Sequence, residues 1–352
     1  METDSKRGLT VAACALSHAL ACVRSFALSC AILCAFGIGS AHAADKLRLI
    51  VAGIDKQIYL PVTLAARLGY FKAQDLEVDL VTEASGVRAE DELLAGGAQG
   101  VVGFYDHTIS LQAKGKFVLS VVQFSRAPGE VQVVSNKLAQ ALRTPADFKG
   151  RRLGVTGLGS STHLLQLYLG ISHGLRAADM TMVPVGSGAS FIAAMRQGSI
   201  DTGMNTEPTV SLLLKSGEAR MLVDLRTPQS TAAVLGGLYP GACLYMSTQW
   251  VNGHKPQVQK LANALVLALR YIGQHSAEEI AAQMPVEFFA GDRALYVDAL
   301  RHSQATFTPD GVMPAGGPAT VLKVLQAADR VVQSKTIDLS KTYTTEFALA
   351  VP

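Results

Sequence analysis

Short β-rich segments alternate with helical segments along the first two thirds of the chain, and this alternation constrains the fold most strongly. Strands that are joined by helices build a parallel sheet that is covered on both faces. The alternation predicts strands at residues 47–52, 77–81, 100–104, 117–124, 130–135, 152–156, 181–185, 201–204, 219–225 and 242–246. We therefore predict an α/β protein.

The sequence from residue 256 onward has helical periodicity instead of strand patterns. Leu261, Leu265 and Leu269 fall on one face of a long predicted helix. Ser276 and Glu279 have the spacing of a capping box, which predicts the start of a further helix. Two more helices are predicted at residues 293–303 and 319–332.

The chain of 352 residues is longer than one hydrophobic core usually organises, so two units are expected. The strand series restarts after residue 125, which predicts a first lobe at residues 44–125 and a second from 126 to about 244. The late helices have no sheet of their own to cover. We expect them, from about residue 245 to 352, to pack on the first lobe, so that the chain crosses between the lobes twice.

Residues 1–43 have the pattern of a cleaved export signal. Arg24 precedes an apolar run at residues 26–38, and Ala41-His42-Ala43 is a small-x-small cleavage sequence. The apolar run is shorter than the roughly 20 residues that span a bilayer, which argues against a membrane anchor. We predict export to the periplasm.

Two details of this segment bear on that prediction. Neither Cys22 nor Cys30 follows the leucine that lipoprotein processing prefers three residues before its cysteine. The apolar stretch at residues 9–23 is unusual for an export signal and leaves open a true start downstream of Met1.

Charge and cysteine content narrow the functional classes. Without residues 1–43, the 31 basic and 28 acidic side chains become 28 and 26, and a net charge of +2 predicts no nucleic-acid partner. Cys243 alone remains of the five cysteines, so no intrachain disulfide is possible. The remaining histidines lack paired ligand spacing. We expect a monomer without metal or cofactor and without a membrane span.

Ligands of parallel α/β sheets bind beyond the carboxyl ends of the strands, which selects several loops as candidates. The strongest is the predicted helix start with Ser160, Ser161, Thr162 and His163, where hydroxyl and N–H groups favour an anion. An ordinary serine cap is the alternative. The other candidates could also be caps or solvated turns; they are Gln57, Tyr59, Ser85, Gly86, Tyr105, Asp106, Asn205 and Glu207.

Common enzyme and nucleotide motifs find little support. Gly157-Leu158-Gly159 resembles the start of a dinucleotide fingerprint, but Thr162 stands where the third glycine belongs. The sequence contains neither a GxSxG elbow nor a Walker GxxxxGK[ST] motif.

Several segments match one protein family in the same order along the chain. They are Tyr59-Leu60-Pro61-Val62 with Leu68-Gly69-Tyr70-Phe71-Lys72 and Leu76-Glu77-Val78-Asp79-Leu80, Pro145 to Gly150 with Leu153-Gly154-Val155, Gly159-Ser160 with His163, residues 193–201 with Pro208, and residues 307–311. Together they resemble the solute-binding proteins of nitrate, sulfonate and taurine ABC importers, the NMT1/THI5-like family.

The resemblance implies a type II periplasmic-binding-protein fold, in which two α/β lobes joined by a two-strand hinge close on a ligand. It also implies ligand roles for the candidate loops named above. Met204-Asn205-Thr206-Glu207 departs from the family pattern, which often has an aromatic or acidic residue near this point, and makes the pocket polar there. The usual ligand therefore cannot simply be transferred.

The predicted function is capture of a small organic anion, a sulfonate or a carboxylate, for delivery to the permease subunits of an ABC importer. The anionic group would lie at Ser160 to Thr162 and the body of the ligand against Tyr59 or Tyr105. Two alternatives stay open: a ligand sensor for a membrane receptor, and an enzyme resembling thiamine-pyrimidine synthases. We predict a binding protein rather than an enzyme, because the export signal and the single remaining cysteine fit the synthases poorly.

Overall fold

The computed structural model describes residues 44–352, so the predicted export signal lies outside the described residues. The described strands, which form two five-stranded sheets, are β1 (Asp45–Val51), β2 (Leu76–Thr82), β3 (Gly100–Phe104), β4 (Val118–Gln123), β5 (Glu130–Ser135), β6 (Arg152–Val155), β7 (Thr181–Pro184), β8 (Thr202–Thr206), β9 (Ala219–Leu225) and β10 (Ala242–Ser247). Every predicted strand is present, and the α/β prediction is confirmed.

The described helices lie between and after these strands. They are α1 (Leu60–Arg67), α2 (Gly86–Leu94), α3 (Asp106–Ala113), α4 (Ser161–Ser172), α5 (Ala189–Gln197), α6 (Thr209–Lys215), α7 (Pro228–Leu235), α8 (Thr248–Gly253), α9 (Lys255–Gln274), α10 (Ala277–Gln283), α11 (Arg293–Ser303), α12 (Gly317–Ala328), α13 (Arg330–Gln333) and α14 (Glu346–Leu349). The alternation did not predict α7, and the single helix predicted at residues 319–332 is interrupted at Asp329, which caps α13.

The first sheet has the strand order β2-β1-β3-β10-β4, and the second has the order β7-β6-β8-β5-β9. In the first, β1 is parallel to β2 and β3, whereas β10 is antiparallel to both of its neighbours. In the second, β6 is parallel to β7 and β8, whereas β5 is antiparallel to β8 and β9. Both sheets are therefore mixed, whereas the alternation alone indicated a parallel sheet. The antiparallel strands are the first ones after each crossing between the sheets. Strand β5 follows the crossing to the second sheet, and β10 follows the crossing back to the first, so each runs against its neighbours.

Local sequence explains where several elements begin. Pro61 lies in the first turn of α1, where its missing N–H has no partner to lose. The predicted capping box of α10 is present: Ser276 N–H donates to Glu279 Oε2 over 2.8 Å, and Glu279 N–H donates to Ser276 Oγ over 3.3 Å.

The late helices pack on both sheets rather than on the first alone. Helix α9 packs against α1 and β4, as expected for the first sheet. Helix α12, however, packs against α4, which follows β6 of the second sheet, and also against α3. The large apolar residues of α4 and α12 belong to one buried core. Packing α12 on α4 therefore removes the apolar faces of both helices from water, which is favourable. No helix within residues 44–352 is long and apolar enough to cross a membrane.

Candidate functional site

The carboxyl ends of the parallel strands of both sheets meet at one small cavity. Its volume is about 20 Å³, room for roughly one water molecule. Residues from the loops after β1, β2 and β3 line one side, and residues from β5, the end of β8 and the start of α4 line the other. The lining residues are Lys56, Tyr59, Gly86, Phe104, His107, Glu130, Thr156, Ser160, Ser161, Thr162 and Thr206.

Glycines let the loops of the two sheets approach each other here. A Cβ on Gly157 would lie 3.0 Å from Ser85 Oγ, and one on Gly159 would lie 3.3 Å from a methyl carbon of Val87. Both contacts join the loop after β6 to the start of α2. In this structure Gly157 and Gly159 therefore allow the backbone of their loop to lie close to the start of α2.

Two hydroxyls at the start of α4 are used inside the loop. Ser160 Oγ donates to the Gly157 carbonyl oxygen over 2.6 Å, and Thr162 Oγ1 accepts from Thr156 N–H over 3.0 Å. Ser160 makes no capping hydrogen bond with its side chain, so the ordinary serine cap does not describe this residue. Ser161 Oγ, in contrast, is buried and has no hydrogen-bond partner within residues 44–352.

Three buried polar atoms without partners belong to residues that line this cavity. They are Glu130 Oε2, Ser161 Oγ and Thr206 Oγ1, none of which has a hydrogen-bond partner among the described residues. Buried polar groups in folded proteins are nearly always paired, because an unpaired one keeps its desolvation cost. Three such atoms around one cavity are the pattern of a site that a polar ligand completes.

Buried ionisable groups surround the same cavity. Burial lowers the pKa of Lys56 to about 8, although Asp55 and Glu130 act in the opposite direction. Lys56 Nζ donates to the Ala52 carbonyl oxygen over 2.6 Å. Burial raises the pKa of Asp106, and burial together with the charge of Asp106 raises the pKa of Glu130.

His107 adds a polarised imidazole to the cavity wall. Its Nδ1 lies 2.6 Å from Glu90 Oε2 in a buried ion pair. Burial, the largest single influence, would lower the pKa of His107, but the hydrogen bond to Glu90 and the charges of Glu90 and Asp106 together outweigh it, so the pKa is raised. The Nε2 side of the ring faces Gly86, where a Cβ would lie only 2.6 Å from Nε2. The pair therefore supplies a proton donor on the side of the cavity.

Of the residues predicted from sequence, Tyr59, Gly86, Ser160, Ser161 and Thr162 line the cavity. Asp106 lies beside it and accepts a hydrogen bond from Tyr239 over 3.2 Å. The side chains of the other six candidates have partners of their own. Gln57 Nε2 donates to the Tyr296 carbonyl oxygen, Ser85 Oγ accepts from Arg88 N–H, Tyr105 bonds Thr342, His163 Nδ1 accepts from Gly159 N–H, Asn205 Oδ1 accepts from Thr206 N–H, and Glu207 pairs with Arg226. A ligand role for any of the twelve stays a prediction.

The sequence prediction did not include Lys56, Phe104, His107, Glu130, Thr156 or Thr206, which also line the cavity. Lys56 and Thr206 are next to residues that the strand-end rule had selected, Gln57, Asn205 and Glu207. Glu130 is the first residue of β5, which is antiparallel to β8, so its amino end lies at the carboxyl ends of the parallel strands. A rule that considers only carboxyl ends therefore overlooks it. Within residues 44–352 no cluster of His, Cys, Asp and Glu has the composition of a metal site.

The relationship of this chain to known proteins follows from both its sequence and its fold. The family model described as NMT1/THI5 like matches residues 58–279. The chain belongs to the NMT1/THI5-like family. The resemblance noted in the sequence is thus confirmed, and no curated protein matches the sequence significantly.

Solved structures with this fold include a protein of Bordetella bronchiseptica RB50, which is 38% identical over 86% of this chain and 96% of that one, with a TM-score of 0.82. The alkanesulfonate-binding protein SsuA of Xanthomonas axonopodis pv. citri, bound to MOPS, has 23% identity over 87% and 100% and a TM-score of 0.67. The periplasmic nitrate-binding protein NrtA of Synechocystis PCC 6803 has 14% identity over 88% and 90% and a TM-score of 0.69. These two share the periplasmic binding protein fold with this NMT1/THI5-like chain.

Proposed function

We propose that this protein is the exported solute-binding component of an ABC importer and that it captures a small organic anion in the cavity between its two sheets. The solute-binding role accords with the family and with neighbours named as sulfonate- and nitrate-binding proteins. The observation that carries the proposal is the cavity itself, with three unpaired buried polar atoms at the strand ends.

Several groups at the cavity favour an anion. The N-terminus of α4 begins at Ser161, and the partial positive charge of a helix start attracts negative groups. The hydroxyls of Ser161 and Thr206 are free to donate, and Lys56 and the His107–Glu90 pair add proton donors on the opposite side. An anionic group that bridges the two sides would stabilise the sheets close together.

The cavity volume of about 20 Å³ is too small for an organic anion. The two sheets therefore have to separate for a ligand to enter and close again around it, with residues 124–129 and 226–241 as the connecting segments. Such closure requires no catalytic group. Cys243, the thiol that an enzyme could use as nucleophile, is buried in β10, and burial raises its pKa.

Calorimetric titration with a panel of small sulfonates and carboxylates tests the proposal, with Ser161→Ala as the informative variant. Ser161 Oγ makes no hydrogen bond of ordinary geometry within residues 44–352, although it lies near enough to Asp106 and Glu130 to act on the pKa of both carboxyls, so its removal breaks no hydrogen bond that holds the fold. We expect the affinity for the anion to fall by about 3- to 10-fold, the value of one hydrogen bond, at unchanged melting temperature.

Ser172→Ala is the matched control, because Ser172 is on the same helix and its Oγ bonds only groups near it in sequence, the Leu169 carbonyl oxygen and His173 Nδ1. Its affinity should equal that of the wild type. Binding only by compounds without an anionic group, or identical affinities for Ser161→Ala and wild type, would contradict the proposal.

A further inference from the structure

Glu90 and His107 form a buried pair, of which His107 lines the cavity and Glu90 lies behind it. Glu90 is in α2 and His107 is in α3, so the pair joins the helices that follow β2 and β3. The distance between His107 Nδ1 and Glu90 Oε2 is 2.6 Å, and the two side chains are 3% and 6% exposed. Because a buried ion pair adds little to stability after its desolvation cost, stability alone does not account for this one.

The pair determines which ring nitrogen meets the cavity. Nδ1 is bonded to Glu90, whereas Nε2 has no hydrogen-bond partner among residues 44–352. Nε2 lies beside Gly86, which also lines the cavity, and a Cβ on Gly86 would be only 2.6 Å from it. Any larger residue at the start of α2 would therefore press on the imidazole. The glycine leaves room for Nε2 at the cavity wall.

The charge of Glu90 decides where the imidazole carries its proton. Burial would raise the pKa of Glu90, but its hydrogen bond to His107 and the charges of His107 and Lys114 together lower it, so Glu90 is a carboxylate at neutral pH. A carboxylate only accepts hydrogen bonds, so a neutral imidazole keeps its proton on Nδ1 and Nε2 is then an acceptor. Nε2 becomes a donor only when His107 is an imidazolium. An anion in the cavity therefore selects the charged form.

Other ionisable groups also surround this imidazole. Asp106, next to it in sequence, favours the charged form of His107, and Lys114 of the same helix disfavours it. Tyr245 of β10 stacks on the ring with the centroids 6.2 Å apart, and burial raises the pKa of this phenol, so it stays neutral. The other ionisable residues that line the cavity are Lys56, Tyr59 and Glu130. The pKa of Lys56 is about 8, so its loss of charge has to be separated from that of His107.

We infer that Glu90 is a positioning residue for anion capture: it holds His107 with Nε2 toward the cavity, so that the anion binds the imidazolium and capture takes up a proton. The inference rests on the proposed function and adds a proton to its mechanism. The proton comes from solvent and is bound at Nε2, between the ring and the anionic group.

Proton uptake gives the affinity a defined dependence on pH. A bound anion stabilises the imidazolium over the neutral ring, so the pKa of His107 is higher in the complex than in the free protein. Below both pKa values His107 is already charged, and binding takes up no proton. Between them the affinity falls by about 10-fold for each unit of rising pH.

Calorimetric titration with ethanesulfonate between pH 6 and pH 9 tests the inference, because a sulfonate keeps its charge throughout this range. Parallel titrations in triethanolamine and in Tris, two cationic buffers of different ionisation enthalpy, measure the number of protons taken up. We expect net proton uptake by the wild type and an affinity that falls by about 10-fold or more over the range. His107→Gln replaces the imidazole with an amide that does not titrate, so the uptake that remains in this variant belongs to Lys56 and should appear only near pH 8 and above.

The outcomes separate this inference from the proposed function. If ethanesulfonate binds without proton uptake, or with the same uptake in wild type and His107→Gln, the inference is overturned and anion capture stands. If ethanesulfonate does not bind, the tightest sulfonate or carboxylate of the panel takes its place. If no member of the panel binds, the proposed function and this inference both fail.

Glu90→Gln tests the positioning role, because it keeps the shape of the side chain and removes the charge that favours the imidazolium. At pH 7.5 its affinity should be about 10-fold below that of the wild type, and it should recover toward the wild-type value at pH 5.5, where His107 is charged without help. An equal loss at both pH values would mean that Glu90 acts only on the fold, which overturns its positioning role.

Glu92→Gln is the matched control, because Glu92 is on the same helix and is exposed. Its affinity should follow the wild-type pH profile. The proton uptake is measured on the wild type, so the inference stays falsifiable if Glu90→Gln does not fold.

Discussion

At the scale of single residues, polar groups that have a hydrogen-bond or ion-pair partner in the protein differ from candidate ligand groups, which have none. Ser160 and Thr162 are next to Ser161 in sequence, yet their hydroxyls are bonded within the loop while that of Ser161 is not. Glu207 and Glu130 are both buried, yet only Glu207 has a guanidinium partner. Residue type alone does not distinguish the members of these pairs, because the distinction depends on neighbours distant in sequence.

Glu130 gives a prediction about stability and pH. Its pKa in the folded protein is raised above the ordinary value of 4.5, chiefly by burial, so the folded state retains a proton that the unfolded state releases. The free energy of unfolding therefore decreases as the pH rises above about 4.5 toward the folded pKa. Glu130→Gln removes this loss and should be more stable than wild type by about 1 kcal/mol or more at pH 8, with a smaller difference at pH 5.

Urea unfolding at both pH values measures this difference, with Glu287→Gln as the exposed control. A Glu130→Gln protein that is less stable than wild type at pH 8 would show that the carboxylate is satisfied in the folded state.

At the scale of elements, the long helix α9 illustrates what a periodic sequence determines. Its buried residues include Leu261, Leu265 and Leu269, the face that the sequence predicted. They pack the helix against α1 and β4 of the first sheet. Burial of an apolar face supplies most of the stability of such a helix, since propensity alone contributes little.

Leu265→Ala should therefore lower the free energy of unfolding by about 2 to 5 kcal/mol, because Leu265 is fully buried and its truncation leaves a cavity. Leu349→Ala is the matched control: Leu349 is in α14 and is 69% exposed, so we expect a change of at most about 0.5 kcal/mol. Similar losses in both variants, measured by urea unfolding, would mean that α9 contributes to stability in some other way than by packing.

At the scale of the whole molecule, contacts between helices and an ion pair join elements that cover the two sheets. Helix α12 packs against α4 and α3, and Lys215 of α6 forms an ion pair with Asp292, which caps α11. Together with the small cavity volume, these contacts describe a closed arrangement. If the protein captures its ligand by closure as proposed, we expect ligand entry to break some of these contacts and a bound ligand to restore them.

Small-angle X-ray scattering should accordingly give a larger radius of gyration for the ligand-free protein than for the protein saturated with its ligand. The saturated value should agree with that calculated from residues 44–352 of this structure. A compound of the panel that does not bind serves as the control and should leave the radius unchanged. Equal radii with and without a binding ligand would exclude closure as the mechanism of capture.

The sequence by itself determined the α/β class, the positions of the strands, the long apolar face of α9 and the capping box of α10. These features depend on periodicity and on residues three or four positions apart, which are visible along the chain. The family resemblance was likewise contained in the order of short segments, and the family match confirmed it.

Only the tertiary structure decided the strand directions and the composition of the cavity wall. Strand β5 is antiparallel because the chain enters the second sheet from the first, and this places Glu130 in the cavity wall. Likewise, Ser161 differs from Ser160 only through the atoms around its hydroxyl, and Lys56 is distinguished from other lysines by burial. The hydrogen-bond partner of a hydroxyl, the burial of a lysine and the direction of a strand all depend on segments that are distant in sequence. The tertiary structure therefore decides them, and the local sequence does not.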